Sequence, residues 1–192
     1  MKTFELSGVA RTETGKKVAK KSRKNGLIPA VIYGGKENFH FSVEQRDIDK
    51  LIFSPEVFVV DLSIAGKSCK AVVKDVQFHP VKDTILHIDF LEVSEANPII
   101  MAIPVVLQGL AEGVKAGGKL SLEKRKLKVK AVYSNIPENL TVDVTSLGLG
   151  KSLQVGELSF DNLELMDAKN AVVCGVRLTR AARGAAAAAA KG

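Results

Sequence analysis

Two groups of residues in this 192-residue chain have types and spacing that can do chemistry. The first is cationic. Arg11, Lys16, Lys17, Lys20, Lys21, Arg23 and Lys24 crowd one short stretch, and residues 1–36 hold nine Lys/Arg against two Asp/Glu. That excess equals the formal +7 of the whole chain, so the remainder is close to neutral. Ammonium and guanidinium groups at this density contact phosphate oxygens and draw a polyanion in through long-range attraction. A solvated face kept for solubility is the bland alternative. The second group is Gln77, His79, His87 and Asp89, all hydrogen-bonding side chains. By type alone this group is either a recognition surface or an ordinary solvated sheet face.

The elements that would position these groups follow from hydrophobic periodicity. Lys2–Ala10 alternates Phe4, Leu6, Gly8 and Ala10 against polar residues and predicts a strand. In the basic stretch Lys17, Lys20, Lys21 and Lys24 recur at three and four residues, one face of a helical turn whose like charges repel. A short helix, or a loop ordered by an anion, is expected over Gly15–Asn25. The apolar run Leu27–Tyr33 predicts a buried strand, although Pro29 argues for an edge or a bulge. Tyr33 ends that strand; its ring can pack on the scaffold while its hydroxyl reaches a sugar or phosphate. Phe39 and Phe41 flank His40, and Ser42 is the expected cap of a helix from Val43 to about Phe53.

Three further strands are expected at Val57–Ile64, Ser68–His79 and Thr84–Val93. In the last, Leu86, Ile88 and Phe90 point one way and His87 and Asp89 the other. Pairing the last two strands across Pro80–Asp83 joins Phe78 to Leu86 and Val76 to Ile88. The same register sets Gln77 opposite His87 and Asp75 opposite Asp89, and two facing carboxylates need a donor, a cation or a partner between them. The expected result is a closed or nearly closed small β-barrel with one or two helices.

Ser94–Pro98 is a polar break, and beyond it short strands at Ile99–Leu107, Leu127–Tyr133, Leu140–Val144, Leu153–Val155 and Ala171–Leu178 alternate with turns. Residues 109–118 are expected as a Gly-rich loop. Lys126, Lys128 and Lys130 form a second basic stripe, read either as edge-strand protection or as nucleic-acid contact. The boundaries expected are 1–93 for the barrel domain, 94–179 for an all-β domain and 180–192 for a mobile Ala-rich tail.

Several chemistries are excluded. Gly148–Ser152 (GLGKS) resembles the end of a phosphate-binding loop, but the Gly required upstream is Thr145 and the following sequence is β-like. No Gly-x-Ser-x-Gly occurs, and His40, His79 and His87 lack paired metal-ligand spacing. A barrel enzyme using His87 and Asp89 as a base pair is the weaker reading. Cys69 and Cys174 fit free thiols in a reducing compartment. The N-terminus lacks an apolar signal region and no run of about 18 apolar residues is present. A cytoplasmic protein is expected.

The segments RTETGKKVAKKSRKNGLIPAVIYGGKE and KDVQFHPVKDTILHIDF, in that order, followed by a β-rich half, resemble one family. It is the bacterial large-subunit ribosomal protein twenty-five family, in the long two-domain form called the general stress protein CTC type. The resemblance covers nearly all of residues 1–179. It implies a mainly β protein with a few short helices: a six-stranded β-barrel that binds 5S rRNA, then a β-rich C-terminal domain. The implied RNA-binding residues are Arg11, Lys16, Lys20, Arg23, Tyr33, His87 and Asp89, with Gln77 and His79 nearby. No catalytic residue, cofactor, metal, membrane or small-molecule substrate is implied. The implied partners are 5S rRNA, the large ribosomal subunit and neighbouring ribosomal proteins, with a free RNA-binding stress protein as the alternative role.

Overall fold

Apolar residues at every second position of six strands can be buried together only if the sheet closes on itself, because closure leaves no edge and one shared interior. The computed structural model, which describes residues 1–35, 37–95 and 97–179, shows that arrangement. The strands are β1 (Lys2–Ala10), β2 (Leu27–Tyr33), β3 (Phe39–Glu44), β4 (Phe58–Ile64), β5 (Lys67–Phe78) and β6 (Ile85–Glu92). They close in the order β1-β3-β2-β6-β5-β4. Helix α1 (Lys16–Lys24) lies between β1 and β2, and α2 (Gln45–Ile52) follows β3.

The interior is aliphatic around two rings tilted at 37° to one another. Phe41 and Phe90 are fully buried, 5.7 Å apart between ring centroids, among Ile28, Ile32, Ile88, Val60 and Leu62. Ile48 and Leu51 of α2 join the same cluster. Gly8 makes room for this packing: a Cβ there would stand 2.6 Å from the Phe41 ring.

Three local expectations are corrected. Ser42 is a buried strand residue opposite Pro29 and Val9, and α2 starts later, at Gln45, behind Glu44. The Phe39/Phe41 alternation simply continues through Val43, so the chain stays extended until the first charged residues. Pro29 does not make β2 an edge, because β2 lies between β3 and β6. The ladder to β6 begins only at Ala30, so on that side the missing Pro N–H interrupts nothing. Leu86 does not pair with Phe78; Phe78 pairs with Ile85, and Leu86 is bulged out between Ile85 and His87.

The chain divides into two units, Met1–Ile99 with Val132–Ser134, and Ile100–Ala131 with the residues from Asn135 onward. The second unit is strand-rich. It contains β7 (Ile99–Gln108), α3 (Glu112–Lys115), β8 (Lys119–Leu122), β9 (Lys126–Ala131), β10 (Leu140–Asp143), β11 (Ser152–Gln154), β12 (Glu164–Leu165) and β13 (Val172–Arg177). These form a four-stranded sheet, β10-β7-β9-β12, and a three-stranded sheet, β11-β13-β8. The segment expected as a Gly-rich loop holds the helical turn α3. Gly113 there is buried against Gly148 and Leu149, where a Cβ would meet backbone at 2.6 Å. Within Gly148–Ser152, Gly150 takes a positive φ of 74°, and the chain passes directly into β11 instead of a helix. The expected Ala-rich tail lies outside the described residues.

Candidate nucleic-acid interface

The barrel's outer face at β2, β6 and β5 is built by register. Val31 of β2 stands beside Asp89 of β6, and Asp89 stands opposite Asp75 of β5. One step along, His87 faces Gln77. The ladder between β5 and β6 carries two irregularities around this patch. Val73 pairs with Phe90 and Asp75 with Asp89, which leaves Lys74 extra on β5. Gln77 pairs with His87 and Phe78 with Ile85, which leaves Leu86 extra on β6. Bulges of this kind re-aim side chains and raise local twist. Here they bracket three pairs, two of which, Asp75–Asp89 and Gln77–His87, set four polar side chains together.

Within the patch, His87 Nδ1 lies 2.8 Å from Asp89 Oδ1, with both side chains about 29% exposed. The imidazole is thus the group that stands beside one of the two facing carboxylates. Tyr33 belongs to the same neighbourhood. Burial, then the charges of Asp89 and Asp75, raises its hydroxyl above the ordinary tyrosine value, so at neutral pH it remains a proton donor. His79 sits at the β5–β6 turn. Its Nδ1 accepts from the amides of Val81 at 3.2 Å and Lys82 at 3.3 Å, leaving Nε2 as its outward group.

Helix α1 runs beside this face. It has no buried residue, no acidic residue in its first turn, and Gly15 at its N-cap makes no side-chain hydrogen bond. Lys16, Lys17, Lys20, Lys21 and Lys24 are exposed, and none ion-pairs among the described residues. Some cations elsewhere are partnered, among them Lys50 with Asp47, Lys124 with Asp167, Lys130 with Glu164 and Arg177 with Glu123. Helix α1 thus gathers five exposed, unpaired lysines within nine residues. The Lys126–Lys130 stripe is different, because β9 is an interior strand, Glu164 pairs with Lys130 and the charge of Asp167 acts on Lys128.

Between α1 and the barrel lies an open groove lined by Arg11, Lys16, Arg23, His40 and His87, floored by Pro29. Arg23 reaches across it, its Nε donating to the carbonyl of Leu86 at 2.9 Å. Arg11 is placed by its amide, which donates to the carbonyl of His40 at 2.9 Å. The structure thus brings Arg11, Lys16, Arg23 and His87 to one groove and sets Tyr33, Gln77 and Asp89 on the adjoining strip. Lys20 lies one turn along α1 from Lys16, and His79 sits apart at the strand end. His40 was missed by reasoning from the sequence. Its position between Phe39 and Phe41 gave its outward direction, but nothing in the sequence placed it across from Arg23. Among the described residues no group of three His, Cys, Asp or Glu is placed to hold a metal ion.

Residues 6–90 match the Ribosomal L25p family, and residues 98–180 match the family described as ribosomal protein TL5, C-terminal domain. A large ribosomal subunit protein bL25 from Porphyromonas gingivalis is 63% identical over 188 residues, covering 97% of this chain and 98% of the relative. The chain belongs to the bL25 family. Other bL25 relatives are as close in length. One from Parabacteroides distasonis is 61% identical over 190 residues, covering 96% of this chain and 98% of its own. One from Bacteroides fragilis is 57% identical over 196 residues, with both chains covered completely. The two family matches in tandem make this the long, two-domain kind of bL25.

Proposed function

We propose that this protein binds 5S rRNA through α1 and the β2-β6-β5 face of its barrel, as a constituent of the large ribosomal subunit. Membership of a ribosomal protein family makes it a structural, non-enzymatic component of the ribosome, at work in the cytoplasm with it. The observation that carries the RNA reading is the pairing of an uncompensated cationic helix with a rigid polar strip beside it. Double-stranded RNA presents a wide, shallow minor groove of 2′-hydroxyls and base edges between two phosphate backbones. Lysines of α1, with Arg11 and Arg23, suit the phosphates. Tyr33, Gln77, His87 and Asp89 suit the groove, with His79 at its margin.

The roles divide by chemistry. Phosphate contacts set register and affinity but carry little sequence information; discrimination belongs to groups that meet base edges and sugars. Asp89 is repelled by phosphate, so its use is to accept from a guanine amino group or a 2′-hydroxyl while His87 holds it in place. In this reading residues 1–93 are the RNA-binding domain, and residues 94–179 contact neighbouring ribosomal proteins or other rRNA. The test is titration of the full chain with a 5S rRNA transcript and with an unrelated duplex RNA of equal length, at several salt concentrations. Equal affinity for both RNAs would defeat the assignment to 5S rRNA, and salt-independent binding would defeat the electrostatic part.

A further inference from the structure

We infer that Arg23 is a positioning residue, whose guanidinium fixes α1 to the bulge at Leu86 and so sets the distance between the cationic helix and the His87–Asp89 pair. The inference rests on the RNA-binding reading above and deepens it. A charge count alone would rank Arg23 with the lysines as one more phosphate contact.

Three observations distinguish it from them. It is the cation of α1 with a hydrogen bond to the barrel, Nε to the Leu86 carbonyl at 2.9 Å. The acceptor is the residue that the β5–β6 ladder leaves over, and it also precedes the first pair of the β2–β6 ladder, Ala30 with Ile88. Leu86 immediately precedes His87, whose Nδ1 lies 2.8 Å from Asp89 Oδ1. A shift of the Leu86 carbonyl therefore passes through one peptide unit to the residue proposed to meet the RNA groove.

The helix needs such a tie. It buries no residue, has no side-chain N-cap, and places like charges three and four residues apart. A nine-residue helix of that kind is marginal on its own. Apart from partial burial of Val18, Ala19 and Ser22 against β2, the Arg23 bond is what fixes it. A guanidinium can do this and still serve the groove, since Nε is directed at the carbonyl while the two Nη groups remain free. A lysine ammonium carries its three donors on one atom, so it cannot hold the carbonyl with one nitrogen and present two others to the groove.

The experiment uses full-length Arg23→Lys, Arg23→Ala and a deletion of Leu86. The deletion restores an unbroken ladder, keeps Ile85 inward and His87 outward, and removes the acceptor. Affinity for a 5S rRNA transcript is measured across a salt series, and the His87 ring and α1 amides are followed by NMR without RNA. Arg23→Lys, which keeps the charge, is expected to lose at least tenfold in affinity, nearly as much as Arg23→Ala, with the salt slope of the parent. The Leu86 deletion should match them. In the RNA-free spectra Arg23→Lys should shift the His87 ring signals and speed amide exchange in α1. If Arg23→Lys stays within twofold of the parent, or if His87 and α1 signals are unmoved, the positioning role is overturned. Should the parent itself ignore 5S rRNA, the functional reading fails, and the RNA-free spectra still decide whether Arg23 positions His87.

Discussion

His87 and Asp89, two positions apart on one strand, meet at 2.8 Å between Nδ1 and Oδ1 on the outer face of the barrel. Strand geometry alone brings such i, i+2 side chains to one face, at a spacing near 7 Å between Cα atoms. The contact makes the two groups one unit: a carboxylate that accepts, and beside it an imidazole for a second contact. Preorganisation of this kind lowers the ordering cost of binding.

Replacing Asp89 should remove readout while sparing electrostatic attraction. Hydrogen bonds to charged groups contribute about 1.5–3 kcal/mol, so Asp89→Ala should weaken 5S rRNA binding by roughly ten- to a hundredfold. The slope of log affinity against log salt should stay at the parent value. Affinity within twofold would remove Asp89 from the readout set. Nitrocellulose filter binding at four salt concentrations suffices.

The α1 lysines should behave in the opposite way. With about five phosphate contacts the slope should be near −3.5 to −4.5, because each neutralised phosphate contributes roughly 0.7 to 0.9. Lys16→Ala and Lys20→Ala should each flatten it by roughly that amount and weaken all duplex RNAs alike. A slope unchanged in both variants would show that neither touches phosphate.

Gly8 is a packing requirement on the opposite side of the barrel wall. A methyl at that position would meet the Phe41 ring at 2.6 Å, and Phe41 is wedged against Phe90. Overpacking of this kind costs about 1–3 kcal/mol. Urea denaturation of Gly8→Ala should therefore show a lower midpoint. Gly8→Ala combined with Phe41→Leu should recover part of the loss if the clash is the cause.

In the second unit, Asp167 ties β9 to the segment after β12. Burial pushes its carboxyl up, but hydrogen bonds from Lys124 Nζ and the Lys128 amide, with the charges of both lysines, outweigh it and hold the group below the ordinary range. A depressed folded-state value means stability that is present above the unfolded value, near 3.9, and lost as pH falls through the folded one. The stability difference between the parent and Asp167→Asn should be full at pH 6 and shrink as pH drops below about 4. A difference independent of pH between 6 and 2.5 would show that ionised Asp167 contributes nothing.

The sequence by itself determined the strand pattern of the barrel, the concentration of charge between Arg11 and Lys24, and the outward direction of His87, Asp89, Gln77 and Asp75. These follow from periodicity two and from counting charge, both local properties of the chain. The pairing of Asp75 with Asp89 and Gln77 with His87 was also legible, because both strands and the turn between them are contiguous. Tertiary structure alone decided three things. It closed the sheet, so that Pro29 lies inside it instead of at an edge, because closure depends on β1 meeting both β3 and β4, far apart in sequence. It kept Ser42 in a strand, because burial against Pro29 and Val9 outweighs its preference for a helix cap. And it put one extra residue at Leu86, whose carbonyl meets Arg23 from 63 residues away. A bulge has no composition of its own; it exists only where two strands of unequal count must keep the same side chains inside.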